Sequence, residues 1–343
     1  MAFKNLRVWF NHWFSTAYHL INLIRDGNPD KFYFIGSNKN DYAVYKLACD
    51  EWHREPEKIS DADYVDFCLN FCREHDVDIF IPRRNLTAIA GRVDDFNQRG
   101  VKVLVGRDAQ LMTTLDDKVA TYEFITAGKL NEIIPPYKIA ATFDEFNRAY
   151  DALKTSDNRI CYKLVADEGA LTFRVIDDSI EKISALHNMP NMKVTRDAAQ
   201  KILSRYDFKI PLIVMPYLSG QEVSVDCLAT SQGNIIIPRF KTNHRYSEIK
   251  FDAAIINVAE KILSLMKFDV PINIQFRMDG GKLYLLEINP RMSGGLQLSC
   301  LGANVNIPDI AINHLLGVEK VWTLTAKKFS TPWIMKNLRS CKS

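Results

Sequence analysis

The chain has 343 residues, of which 47% are hydrophobic and 25% charged, an ordinary balance for a globular protein of two or three domains. A net charge of +3 over this length gives no case for nucleic acid or a membrane surface, and no apolar run reaches the ~20 residues that a membrane-spanning helix needs. Seven cysteines without a C-x-x-C pair, and no secretory leader, fit a reducing cytoplasm; Cys68 and Cys72, one helical turn apart, read as core thiols.

Strand and helix patterns alternate over residues 1–112. Leu6–Phe10, Lys31–Ile35, Val77–Ile81 and Val101–Val105 read as strands. Trp13–Arg25, stopped by Asp26-Gly27-Asn28-Pro29, reads as a helix, as do Tyr64–His75, capped by Ser60 or Asp61, and Leu86–Arg99. Such alternation predicts a parallel sheet covered on both faces, with ligands at the carboxyl ends of its strands. The loops there hold Asn11, His12, Ser37, Asn38, Arg83 and Arg84; Arg83-Arg84-Asn85 is an anion-site candidate or a solvated turn. The bulky loop Asn11–Thr16 has no G-x-G-x-x-G, which excludes a dinucleotide-binding first turn.

A helix opens around Thr113–Lys118 and runs to about Gly128, with Lys118 beside Asp116 and Asp117. Phe143–Lys154 is a further helix. Arg159–Val165 is a strand carrying one lysine, Lys163, among apolar neighbours; a buried ammonium there needs an anionic partner. A loop with a single glycine, Gly169, follows. Leu212–Asp226 is extended, with Pro216 marking a strand end or edge and Glu222 and Asp226 on one face. Ile235–Arg245 is a basic strand and loop in which Arg239 and Lys241 share a face, a pattern also found on protected sheet edges.

The densest signal lies in Val270–Gly295. Two alternating strands flank the tight turn Asp279-Gly280-Gly281, which brings Gln275 towards Glu287. Glu287 and Asn289 share a face on an apolar strand that breaks at Pro290 into the turn Arg291–Gly295. A carboxylate and a neutral amide oxygen without histidine or cysteine suit a hard cation such as Mg²⁺ and cannot form a general acid/base pair.

The run Gln275-Phe276, Asp279-Gly280-Gly281, Glu287-Ile288-Asn289-Pro290-Arg291 resembles the metal-binding end of the ATP-grasp superfamily. It is most like the ATP-binding module of the carbamoyl-phosphate synthase large chain and short carboxylate–amine ligases of that superfamily. The resemblance implies an α/β chain in four parts: a pre-ATP-grasp parallel-sheet domain over 1–112, a first ATP-grasp lobe with lid over 113–217, a second lobe with the metal site over 218–322, and a tail over 323–343. It gives Gln275, Glu287 and Asn289 to two Mg²⁺ ions on ATP, with Mn²⁺ as a substitute. Arg291 falls beside the transferred phosphoryl group, Arg239 at the terminal phosphates, and Lys118 and Lys163 on the nucleotide phosphates. Gly169 belongs to the lid, Met215, Tyr217 and Leu218 hold adenine through backbone groups, and Glu222 holds the ribose; Asp226 has weaker support in the metal shell.

The reaction implied is ATP-dependent activation of a small-molecule carboxylate as an acyl phosphate, followed by attack of an amine, or of a thiol as the lesser option. The amides of Ser293-Gly294-Gly295 are candidates for binding the carboxylate. A homodimer is compatible with the resemblance. A second reading is an ATP-binding protein of the same fold with little catalysis, because Ala170 and Leu171 stand where relatives often carry lid glycines. A phosphatase or kinase on another scaffold lacks a nucleophile motif.

Overall fold

The computed structural model describes residues 5–166, 171–179, 192–242, 246–324 and 335–336. They form two compact units: residues 1–115, 221–276 and 286–343 in the first, and residues 116–220 and 277–285 in the second.

The elements begin with β1 (Leu6–Asn11), α1 (Ala17–Gly27), β2 (Phe32–Asn38), β3 (Glu51–Arg54), α2 (Asp61–Glu74), β4 (Ile79–Ile81), α3 (Leu86–Ala90), α4 (Val93–Asn97), β5 (Lys102–Val103) and α5 (Ala109–Asp116). The five strands make one parallel sheet in the order β3-β2-β1-β4-β5. Its core is aromatic: Trp9 stacks on Phe71 and on Phe80, each at 4.2 Å between ring centroids. Helix α2 is capped by Ser60, whose hydroxyl accepts from the amide of Asp63.

Three expectations change here. Helix α1 starts four residues late, because Trp13 is committed to the loop: its indole donates to the Ile81 carbonyl and its amide to the Tyr45 hydroxyl. The helix expected over 86–99 is two short ones, divided at Gly91 and Arg92. Strand β3 was not foreseen; its polar Glu51-Trp52-His53-Arg54 sequence sits at the sheet edge, where alternation is weak. Cys68 and Cys72 are buried as expected, and burial pushes both thiols up from their ordinary pKa.

The chain continues through α6 (Lys118–Ala127), β6 (Lys138–Ala140), α7 (Phe143–Leu153), β7 (Ile160–Leu164), β8 (Arg174–Ile176), β9 (Lys193–Val194), α8 (Arg196–Leu203) and β10 (Leu212–Pro216). The helix expected from Thr113 onwards is split at Asp117, whose carboxylate caps α6 by accepting from the amides of Val119 and Ala120. The sheet of this second unit has the order β6-β10-β7-β8-β9. Its apolar face, with Tyr162, Ile176, Leu212 and Val214, packs against Phe146, Ala149 and Tyr150 of α7 and Ala199 and Leu203 of α8. Their spacing by three and four residues puts each helical set on one stripe.

The last elements are β11 (Gln221–Thr230), β12 (Gly233–Lys241), β13 (Tyr246–Ile249), α9 (Ala253–Met266), β14 (Ile272–Asp279), β15 (Lys282–Asn289), α10 (Leu296–Ala303), α11 (Ile307–Leu315) and β16 (Met335–Lys336). The strands form a six-stranded sheet in the order β15-β14-β11-β12-β13-β16. Within the first unit, α11 packs on α1 through Asn28, Asp309 and Asn313, which are buried and hydrogen-bonded to one another. A Cβ on Gly27 would lie 2.6 Å from the Asp309 carboxyl carbon, so this contact depends on a glycine.

Candidate active site

The end of β15 carries a line of three polar groups. Asn289 Nδ2 donates to Glu287 Oε1 at 3.0 Å, and Arg291 Nη2 donates to Asn289 Oδ1 at 3.1 Å. All three side chains are half-buried. The face shared by Glu287 and Asn289 follows from strand alternation, and the break at Pro290 lets Arg291 turn back onto it. On the neighbouring strand β14, Gln275 is half-buried and its Nε2 donates to Asn273 Oδ1 at 3.3 Å.

Asn273 belongs to a closed network beneath this line. Its Nδ2 donates to Asp226 Oδ1 at 2.8 Å and to Ser224 Oγ at 2.9 Å. Asp226 also accepts from Ser299 Oγ at 2.6 Å, and lies 3.7 Å from Arg239 Nη2. Arg239 donates to Ser224 at 3.0 Å and to Ser299 at 3.2 Å, and is only 3% exposed. Its strand β12 lies between β11 and β13, so the protected-edge pattern does not apply. Gly295 completes the enclosure: a Cβ there would meet the guanidinium at 2.5 Å. Asp226 is therefore a partner of Arg239 and Asn273 inside the sheet packing. Asn273, Ser224 and Ser299 were not singled out from the sequence, because a lone Ser or Asn on a strand carries no signal until its partners are known.

Glu222 forms an ion pair with Lys241, the neighbour expected on the Arg239 face. After Gly294, helix α10 uses its first amides internally: Leu296 donates to the Ser293 carbonyl and Leu298 to that of Gly295.

In the second unit, Lys163 lies in the middle of β7, paired with Ile213 of β10, and is half-buried. Lys118 follows the cap of α6 and is 7% exposed, so it is a buried lysine and not a surface one. Strand β10 pairs with β6 only from Leu212 to Val214. Met215 and Pro216 still pair with β7, so the backbone from Met215 to Leu218 runs on beyond the end of β6. Tyr217 is fixed by its amide, which donates to the Arg159 carbonyl at 2.7 Å, and by the Arg159 guanidinium over its ring at 4.8 Å. Gly220 meets Asp279 closely: its amide donates to Asp279 Oδ1 at 2.8 Å. Gly169, the glycine expected in the lid, and Arg245 lie outside the described residues.

Oxygen donors dominate the β15 line. A hard divalent cation fits Glu287, Asn289 and Gln275, since a carboxylate and two neutral amides offer oxygen and no softer atom. In the present arrangement the Asn289 amide turns its nitrogen to Glu287.

Comparison with known proteins bears on this geometry. Residues 208–336 match the family model described as ATP-grasp in the biosynthetic pathway with Ter operon. Curated relatives include the arginine-specific large chain of carbamoyl phosphate synthase from Halalkalibacterium halodurans, 22% identical over 299 residues, covering 82% of this chain and 26% of that one. The carbamoyl phosphate synthase large chain of Clostridium beijerinckii is 27% identical over 129 residues, covering 33% of this chain and 12% of that one. The chain thus spans a quarter or less of the length of most of these relatives. Among solved structures, the biotin carboxylase domain of 2-oxoglutarate carboxylase from Hydrogenobacter thermophilus, in complex with MgADP, ADP and bicarbonate, superposes with a TM-score of 0.66 at 14% identity, covering 93% of this chain and 71% of that one. The ADP complex of N5-carboxyaminoimidazole synthetase from Staphylococcus aureus gives 0.64 at 12% identity, covering 94% and 80%. With the family match over residues 208–336 and these superpositions over nearly the whole length, the chain is similar in sequence to the ATP-grasp superfamily and carries its α/β fold.

Proposed function

We propose that this chain is an ATP-dependent ligase that activates a small-molecule carboxylate and passes the acyl group to an amine. The observation that carries the reading is the Glu287–Asn289–Arg291 line at the end of β15: metal-type oxygen ligands, of which Asn289 Oδ1 accepts directly from a guanidinium. Glu287, Asn289 and Gln275 would hold Mg²⁺, two ions by the resemblance, which would offset phosphate charge when bound.

In this reading a substrate carboxylate oxygen attacks the γ-phosphorus of ATP, the bond to the ADP oxygen breaks, and an acyl phosphate forms. The amine then attacks the acyl carbon, and inorganic phosphate leaves with the original carboxylate oxygen. Arg291, held by Asn289, is the cation on hand for the charge that develops on the carboxylate and the transferred group. Lys118 and Lys163 are assigned to the nucleotide phosphates, the backbone of Met215 to Leu218 to adenine, and Glu222 to the ribose. Strand β6 starts at Lys138, opposite Val214, and this supports the adenine assignment, because the backbone from Met215 on is left without a β6 partner. Arg239 is assigned here to positioning: it fixes Asp226, which fixes Asn273, which fixes Gln275.

The test is an ADP-release screen over pooled carboxylates and amines with mass detection of the product. A covalent acid–amine adduct, absent with Glu287→Ala, is expected. ADP release without any adduct, or an adduct from Glu287→Ala at the wild-type rate, would contradict the proposal.

A further inference from the structure

We propose that the outer edge of the parallel sheet carries a metal site of its own, formed by Glu51, His53 and His75, which binds Zn²⁺. The inference is independent of the ligase reading, whose metal ligands lie on β14 and β15.

Glu51 and His53 stand two residues apart on β3, so their side chains leave the same face of the strand. Strand β3 is the outermost of the sheet β3-β2-β1-β4-β5. His75 comes from another element: it closes the carboxyl end of α2, where its amide donates to the Phe71 carbonyl. Sheet edge and helix end bring three ligand atoms together. Glu51 Oε1 lies 2.6 Å from His53 Nε2 and 3.1 Å from His75 Nδ1. All three atoms lie within 4.8 Å of one another, and among the described residues no other group of His, Cys, Asp and Glu side chains converges in this way.

Other groups hold these ligands in place. Arg7 donates from Nη2 to Glu51 Oε2 at 2.5 Å and from Nε to the His75 carbonyl at 2.6 Å. Its guanidinium is set in turn over the Tyr33 ring, 4.6 Å from the centre. One side chain thus ties the acid of β3 to the backbone at the end of α2. It occupies Oε2, and Oε1 is the oxygen turned to both imidazoles. The two imidazole rings lie 4.0 Å apart between centroids. Both rest on Phe71, His75 at 4.2 Å and His53 edge-on at 5.2 Å. Metal ligands are characteristically supported in this manner, with the carboxylate hydrogen-bonded from outside and each ring fixed in orientation.

The donor set selects the ion. Two imidazole nitrogens and one carboxylate oxygen suit Zn²⁺, whereas Mg²⁺ demands oxygen throughout. Three protein ligands leave the fourth tetrahedral position to water. The side chains of His53, Glu51 and His75 are 29%, 25% and 23% exposed, so solvent reaches that position. Metal–ligand bonds of about 2.0–2.2 Å put tetrahedral ligands about 3.4 Å apart, so the shortest present contact has to widen by only about 0.8 Å. Each imidazole must offer a lone pair to the ion, so its proton on that nitrogen moves to the other ring nitrogen or is released to solvent. The bound ion would then cross-link the sheet edge to the end of α2.

The experiment titrates Zn²⁺ by calorimetry into the tag-free full chain, stripped of metal with a chelator, in the presence of excess Mg²⁺ to occupy all-oxygen sites. One Zn²⁺ per chain should bind, with a dissociation constant in the micromolar range or tighter. His53→Gln and His75→Gln should each weaken binding at least about tenfold, the loss that removing even an outer partner causes. Co²⁺ used as a spectroscopic substitute should give the strong visible absorption of a four-coordinate ion in the wild type and lose it in both variants. Zn²⁺ at about a hundredfold excess over its dissociation constant should raise the melting temperature of the wild type by about 2 °C or more and leave the variants unmoved. Melting curves also report folding; where His75→Gln is not folded, the half-exposed edge variant His53→Gln carries the comparison. No binding of Zn²⁺ beside Mg²⁺, a six-coordinate Co²⁺ spectrum in the wild type, or affinity unchanged in the histidine variants overturns this inference. None of these results bears on the ligase reading, which is tested by ADP release.

Discussion

Two polar groupings lie near one another along the same sheet and differ in how their lone pairs are spent. In the interior, Asp226, Arg239, Asn273, Ser224 and Ser299 are each nine-tenths buried or more, and they satisfy one another. At the end of β15, Glu287, Asn289 and Arg291 are half-buried and bonded in an open line. Both contain an acid, an asparagine and an arginine. A closed set has no capacity left for a ligand and can only hold other groups in place, whereas an open line can exchange an internal bond for a ligand bond. On that ground the proposed function gives Arg239 a positioning part and Arg291 the part beside the reacting groups, although the sequence offers both as basic residues close to glycine or proline.

The sharpest way to break the distinction is Arg239→Met. It strands the Asp226 carboxylate inside the sheet packing, so stability should fall by about 3–5 kcal/mol, read as a lower urea midpoint. A near-neutral result would mean that the interior network is not closed. Glu287→Ala should do the reverse: Mg²⁺-dependent ADP formation falls at least about a hundredfold while the melting temperature holds, since a carboxylate without its metal is no support to the fold. Wild-type turnover in that variant would remove the metal assignment.

Smaller effects test the second unit. Gly220→Ala would set a Cβ 1.6 Å from the Met278 carbonyl oxygen, a backbone atom that cannot swing aside. A loss of about 1–3 kcal/mol is expected from the forced shift, and unchanged stability would contradict the packing. Lys163→Ala and Lys118→Ala should each weaken ATP binding about tenfold in calorimetric titration. Lys118 is buried and Lys163 half-buried, and unchanged affinity in either variant would remove that lysine's assignment.

The smallest effect expected is at Asp177. Bonds from Lys193, Ser179 and Arg159 hold its carboxyl well below the ordinary value of 3.8. The charged form is the stabilised one, so its contribution is present above about pH 4 and is lost as pH falls below that value. Both cationic partners are more than a third exposed, which limits the contribution to about 1 kcal/mol. Urea midpoints of Asp177→Asn and wild type should differ at pH 7, and the gap should narrow steadily as pH falls below about 4; a constant gap would refute the linkage.

What the sequence disclosed follows from how each feature is encoded. The β14–β15 hairpin was legible because strict alternation and Asp279-Gly280-Gly281 are local signals, and Gly280 and Gly281 do take positive φ, 55° and 75°. The strand around Lys163 and the end of a strand at Pro216 were local as well. The start of α1 was not, because it depends on Trp13 reaching Ile81, a contact 68 residues away. Nor was the burial of Arg239, which comes from the strands on both sides of β12. Arg83 was read as a candidate anion site, but its companion Phe14 became visible only once β1 and β4 were adjacent.

The central claim is carboxylate activation through an acyl phosphate, and oxygen bookkeeping tests it most directly. With the carboxylate substrate labelled with ¹⁸O and ATP unlabelled, one label should appear in inorganic phosphate for each adduct formed, measured by mass spectrometry of the phosphate. Phosphate free of the label, with solvent oxygen in its place, would mean that water takes the phosphoryl group and that the Glu287–Asn289–Arg291 line does not serve carboxylate activation.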